Sequence, residues 1–196
     1  MNRNVRSRRD FLASVLAAGT AALLPTMAQA RVVKRVSGSV IINGGMADKY
    51  SSLMAGDKVI TGDGGRLSFV LNESAFLLYP NSTLTFVADD LSIAGYRLEQ
   101  GRLLVVCREA GQTFSVQGVY IGIEQKNSAL QLSHTNSEVL VTLQRGKVSL
   151  KAGVQQEILQ ASQPQVRQFK AGKLSVAKSA GIVADDLAYL SALLGF

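Results

Sequence analysis

Beyond residue 30 the chain is dominated by short runs in which apolar and mostly polar residues alternate with period two. Leu67, Phe69 and Leu71 alternate with Arg66, Ser68 and Val70, and Leu84 and Phe86 with Thr83 and Thr85. Phe114 and Val116 alternate with Ser115 and Gln117, and Leu130 and Leu132 with Gln131 and Ser133. Successive side chains of a strand point to opposite faces, so this pattern specifies strands with one buried face. The runs end at Thr61-Gly62-Asp63-Gly64-Gly65, Tyr79-Pro80-Asn81-Ser82, Gln100-Gly101 and Arg145-Gly146, where Gly, Asn and Asp favour reversals. No helical segment of useful length separates them, which excludes a βαβ plan. The reading is all-β: a short-stranded roll, solenoid or sandwich over residues 31–178. A chain of 196 residues, 47% apolar and 18% charged, can enclose a core and is not disordered.

Leu98-Glu99-Gln100-Gly101-Arg102-Leu103 echoes Leu143-Gln144-Arg145-Gly146-Lys147-Val148, 45 residues later. Each copy reads as strand, tight glycine turn, strand; a pair of copies fits stacked β layers without establishing a repeat. Residues 179–196 differ. Val183, Leu187, Leu190 and Leu194 fall at i, i+4, i+7 and i+11, and Asp185 and Asp186 sit where carboxylates suit a helix N-terminus. One amphipathic helix from Ile182 to Leu194 is expected. A single apolar stripe favours covering an open part of the β domain over docking a partner. Phe196 with Leu194 and Leu190 also suggests a terminal outer-membrane strand, but the chain has no Trp, and its runs are too short for a spanning barrel.

The first thirty residues read as an export address. A basic stretch precedes an apolar run from Phe11 to Leu24, then Pro25 and Ala28-Gln29-Ala30, the order of a secretory signal with cleavage after Ala30. Arg8-Arg9 followed by Phe11-Leu12 resembles the twin-arginine export signal. The expected partner is therefore the twin-arginine translocase, and the expected compartment the periplasm. The apolar run falls short of the roughly 20 residues of a bilayer span, so no stable transmembrane span is expected after cleavage. Arg3, Arg6, Arg8, Arg9 and Asp10 carry a net +3 of the chain's +7, leaving +4 for the mature part.

A family resemblance rests on three stretches: Leu53-Met54-Ala55-Gly56-Asp57-Lys58-Val59-Ile60-Thr61-Gly62, then Gly65 to Leu71, then Leu78-Tyr79-Pro80-Asn81-Ser82-Thr83-Leu84. Leu98-Glu99-Gln100-Gly101, Phe114-Ser115-Val116 and Val139 to Leu150 extend it. Together they resemble the FecR domain, over roughly Val32 to Val176. Asn72-Glu73-Ser74 departs from the family's Asp-Gly-Ser pattern, and its Gly-Thr pair is blurred around Gly118 and Gly122. The resemblance implies a β fold of FecR type with no catalytic residues. Gly56, Asp57, Thr61, Gly62, Pro80, Asn81, Ser82, Gly101 and Gly146 are read as its structural turns. FecR-type sigma regulators add a cytoplasmic helix bundle and a membrane span, and neither is read here. The expectation is the exported domain alone, without direct sigma-factor control.

Little in the sequence points to chemistry. One Cys and one His exclude an internal disulfide and leave too few ligands for structural zinc. His134 lies at a strand-to-turn edge and reads as a surface residue, not a triad base. Cys107 ends the run Leu103-Leu104-Val105-Val106 and reads as a small buried hydrophobe, with a reactive thiol as the alternative. Asp89-Asp90 and Asp185-Asp186 are sequence neighbours and do not read as a glycosidase pair. No phosphate-binding glycine pattern is present. Neither catalytic residues, cofactor nor metal is expected, and nucleic acid is excluded by the compartment. Arg31, Lys34 and Arg35, then Arg167, Lys170, Lys173 and Lys178, are scattered bases, the later group offering a stripe for anionic polymers or a solvated face. The function expected is a non-enzymatic module of the cell envelope that binds a protein or regulates, with glycan or peptidoglycan binding as the alternative.

Overall fold

The computed structural model describes residues 31–89, 92–161, 163–177 and 183–195. The expected export signal, with Arg8, Arg9, Phe11, Leu12, Ala28 and Ala30, lies outside the described residues, as do Asp90, Lys178, Ile182 and Phe196. The described chain is all-β with a single C-terminal helix. Its strands are β1 (Arg31–Ser37), β2 (Val40–Ile42), β3 (Gly45–Met46), β4 (Ser52–Leu53), β5 (Lys58–Thr61), β6 (Arg66–Leu71), β7 (Ser74–Leu78) and β8 (Thr83–Asp89). They continue with β9 (Ser92–Cys107), β10 (Thr113–Val116), β11 (Val119–Ile123), β12 (Ser128–Thr135), β13 (Glu138–Ala152), β14 (Gln155–Ala161), β15 (Gln165–Lys170) and β16 (Lys173–Val176), and helix α1 spans Ala184–Leu193.

The strands form two leaves. The first runs β1-β6-β7-β9-β12-β13-β15-β16, with β4 beside β1. The second runs β3-β2-β5-β8-β9-β10-β11-β13-β14. Every pairing is antiparallel except β9 with β10. Strands β9 and β13 belong to both leaves, so the hydrogen-bonded network is continuous.

The main core lies between the leaves because the period-two pattern turns one side of each strand inward, as in the alternation of exposed Lys58 and Ile60 with buried Val59 and Thr61. Phe69 and Phe76 of the first leaf stack at 4.6 Å between ring centroids, and Phe69 meets Phe86 of the second leaf at 5.5 Å. Phe76 meets Tyr96 at 4.8 Å, and Tyr96 stacks on Phe114 at 5.1 Å. Such aromatic pairs add to the stabilisation from burial, by about 1 kcal/mol each.

A second, smaller core explains the unbroken apolar run Leu103-Leu104-Val105-Val106. Leu103 and Val105 face the inter-leaf core, whereas Leu104 and Val106 face outward beneath α1. With Ala75, Leu77, Tyr79 and Ala129 they meet Leu190 of the helix and Leu194 at its C-cap. A strand buried on both faces has no need of alternation.

Two expectations are corrected. Gly101 and Gly146 do not end strands at tight turns; each lies inside one continuous strand, of 16 residues for β9 and 15 for β13. The strands are accordingly not all short. The helix begins at Ala184 with Val183 as its N-cap, and Val183 is 47% exposed, so the buried stripe is Leu190 and Leu194 with Leu187 half-buried.

Candidate functional site

The residues of the sequence motif meet at a seam between the leaves. At Gly101, strand β9 crosses from the second leaf to the first with φ +89°, a conformation that side chains disfavour. A Cβ on this residue would lie 2.5 Å from the Cα of Ser82, so glycine is required twice over, by dihedral and by space. The Ser82 hydroxyl accepts the Arg102 N–H at 2.9 Å and donates to the Pro80 carbonyl at 3.2 Å. Buried Thr61 reaches the same corner: its hydroxyl donates to the Tyr79 carbonyl at 2.6 Å and accepts the Ser82 N–H at 2.9 Å. The Gly62 N–H donates to the Ser39 carbonyl at 2.9 Å, and the Asn81 N–H to the Gly62 carbonyl at 3.2 Å.

Gly56 and Asp57 build a neighbouring tie. The Asp57 carboxylate accepts the Met54 N–H and the Asn43 side-chain amide, both at 2.6 Å. The Gly56 N–H donates to the Phe86 carbonyl and the Phe86 N–H to the Asp57 carbonyl, each at 2.9 Å. These bonds fix the turn before β5 onto β8.

The 45-residue echo has a matching geometry. At Gly146, φ +94°, strand β13 makes the same crossing, and a Cβ there would lie 2.7 Å from the Cα of Ser128. The Ser128 hydroxyl accepts the Lys147 N–H at 3.3 Å and donates to the Gln125 carbonyl at 2.6 Å. Asn127 precedes Ser128 with φ +57°, as Asn81 precedes Ser82 with φ +56°. The Ser128 corner was missed from sequence, although the Asn-Ser-x-Leu common to residues 81–84 and 127–130 carried the signal. A third crossing, from β1 to β2, passes Gly38 against Gly64 and Gly65.

The other candidate residues are held away from chemistry. Cys107 is fully buried, and burial pushes its thiol up to about 12, far from the thiolate a nucleophile needs. His134 sits within β12 with Nδ1 2.5 Å from the Glu99 carbonyl oxygen. Asp89 is exposed at the end of β8. The late basic stripe is partly neutralised: Arg167 holds Glu157 through two nitrogens, Nε at 2.9 Å and Nη2 at 2.6 Å, and Lys170 lies 3.7 Å from Glu138. Among the described residues no group of three or more His, Cys, Asp or Glu is placed to hold a metal, and no helix is long and apolar enough to cross a membrane.

One cleft combines shape with charge. It lies between the N-terminal turn of α1 and the outer face of the first leaf, has a volume of about 210 Å³, and is lined by Arg35, Ser37, Arg66, Ser68, Leu77, Asp185, Asp186 and Tyr189. Tyr79, beside it, donates its hydroxyl to Asp186 at 2.7 Å. Arg102 stacks over the Tyr79 ring at 3.8 Å, and Arg66 stands 5.4 Å from it, within cation–π range. Burial and the bond to Asp186 raise the phenol above its ordinary range. Neither Tyr79 in this role nor the cleft was legible from sequence, because the turn Tyr79-Pro80-Asn81-Ser82 explains Tyr79 as a loop residue.

No family model and no curated protein matches the chain. Among solved structures the chain is similar to a candidate anti-sigma factor from Parabacteroides distasonis ATCC 8503, with 12% identity and a TM-score of 0.49. That match covers 62% of this chain and 59% of the other, so the chain spans less than two thirds of the length of the protein it resembles.

Proposed function

We propose that the chain is an exported, non-enzymatic FecR-like domain protein that serves as a protein-binding or regulatory module of the bacterial cell envelope. The observation that carries the reading is the convergence of Thr61, Gly62, Asn81, Ser82 and Gly101 at one seam. The residues that resemble the FecR pattern are committed to backbone bonds and close packing. Their role is to shape a sandwich, and the working surface is then whatever the sandwich presents. Two tests apply to the chain produced with its own N-terminal segment. Replacing Arg8 and Arg9 with lysine is expected to leave it in the cytoplasm; unchanged export would overturn the twin-arginine part. Crosslinking in intact cells is expected to give a discrete protein adduct at native abundance, and its absence would overturn the protein-binding part.

A second reading, binding to a glycan or to peptidoglycan, is favoured by the outer face of the second leaf. Cross-strand register aligns Lys58, Thr85, Arg97, Ser115, Tyr120, Lys151 and Gln156 across seven strands, and Tyr120 is 60% exposed. A polar row with one open aromatic suits a sugar chain. Cosedimentation with purified peptidoglycan that Tyr120→Ala abolishes would support this reading; no cosedimentation would remove it.

A further inference from the structure

The cleft beside α1 holds opposite charges that have no partner. Arg66 lies 3.7 Å from Asp186, whose other oxygen accepts the Tyr79 hydroxyl, so those two groups are engaged. Arg35 on the strand side and Asp185 on the helix side have neither ion pair nor hydrogen bond among the described residues, yet both line the same 210 Å³. The floor adds a donor. Ser68 is 1% exposed, and its hydroxyl is 2.9 Å from the Tyr189 hydroxyl. Two hydroxyls that share one hydrogen bond use one proton, and the other proton remains for an acceptor in the cleft. Leu77 supplies an apolar wall.

We propose that this cleft is a binding site for a free α-amino acid. The carboxylate pairs with the Arg35 guanidinium and the spare hydroxyl proton of the Ser68–Tyr189 pair, the ammonium pairs with Asp185, and the side chain lies against Leu77. The volume of about 210 Å³ lies below the roughly 300 Å³ of ordinary small-molecule pockets, which suits a ligand the size of a single amino acid. A ligand with both charges leaves neither Arg35 nor Asp185 uncompensated, whereas a simple anion or cation satisfies only one. This goes beyond the envelope-module reading and stands or falls separately from it.

The test is calorimetric titration of the full-length chain with a panel of free amino acids, then with N-acetyl-leucine and leucinamide. Free leucine is expected to bind, and each derivative to bind roughly tenfold or more weakly, since each loses one charge-assisted hydrogen bond. Arg35→Gln is expected to make leucine and leucinamide equivalent, and Asp185→Asn to make leucine and N-acetyl-leucine equivalent. Both side chains are exposed, so thermal melts of these variants should match the parent and separate lost binding from lost folding. Absence of binding by every amino acid overturns the proposal. Binding that keeps its preferences in both variants overturns it as well.

Discussion

The crossing at Gly101 and the crossing at Gly146 use the same contact, a bare glycine laid over a serine, but they are not equally supported. At the first, Ser82 is held on two sides: its hydroxyl accepts the Arg102 N–H at 2.9 Å, and its own N–H is taken by Thr61. At the second, the Ser128 hydroxyl meets the Lys147 N–H at 3.3 Å, and no threonine stands where Thr61 does. The first corner therefore ties three pieces of chain together: the end of β5, the turn before β8, and β9. The second also joins three, the end of β9, the turn before β12, and β13, through the Asn127 N–H on the Arg108 carbonyl at 3.2 Å and the Ser128 hydroxyl, but with no second side-chain hydroxyl bridging them. Identical local geometry thus does different amounts of structural work, depending on what reaches it from elsewhere in the sequence.

The largest effects should come from the glycines. Gly101→Ala places a Cβ at a disfavoured φ and against Ser82, and should cost about 2–4 kcal/mol in urea unfolding. Gly146→Ala should cost somewhat less, its nearest backbone atom being 2.7 Å rather than 2.5 Å away; a larger loss at Gly146 would break the comparison. Thr61→Val leaves the Ser82 N–H without its acceptor and should cost about 2 kcal/mol. Ser128→Ala, which removes the 3.3 Å bond from the Lys147 N–H and the 2.6 Å bond to the Gln125 carbonyl, should cost about 1 kcal/mol, and equal losses in these two variants would show the corners to be equivalent.

The smallest effect is set by pH. The bond from Lys58 at 2.6 Å, with that from Thr85 at 2.9 Å, holds the Glu99 carboxyl below its ordinary range. A lowered folded-state pKa contributes stability above the unfolded pKa and loses it as pH falls through the folded one. Stability should thus drop below about pH 4.5 by under about 1 kcal/mol from this group, because the pair is part-exposed. Glu99→Gln should remove that part of the acid dependence, and acid titration of the unfolding midpoint measures it.

Much of this architecture was written locally. Alternation at Leu67, Phe69 and Leu71, and at Leu84 and Phe86, placed strands where they occur, because half-burial of a pleated strand imposes period two whatever the partner. The helix was visible in Leu187, Leu190 and Leu194. The crossings were not, and the reason is specific. A glycine between two alternating runs looks alike whether the chain reverses or continues into another leaf. What decides is Ser82, 19 positions before Gly101, and Ser128, 18 positions before Gly146, and alternation carries no information across such gaps. The cleft was hidden for the same reason: Arg35, Ser68 and Asp185 come from three elements that only the packing of α1 brings together.

The central claim is that the motif glycine at 101 serves a packed corner and not merely a turn. Gly111 provides the control, with φ +91° against +89° and open space where its Cβ would be. Urea unfolding of Gly101→Ala and Gly111→Ala, with matched slopes, measures the difference directly. The account predicts that Gly101→Ala loses at least about 1 kcal/mol more than Gly111→Ala, the share due to contact with Ser82. Equal losses would mean that the dihedral alone matters and that no corner contact holds the two leaves together.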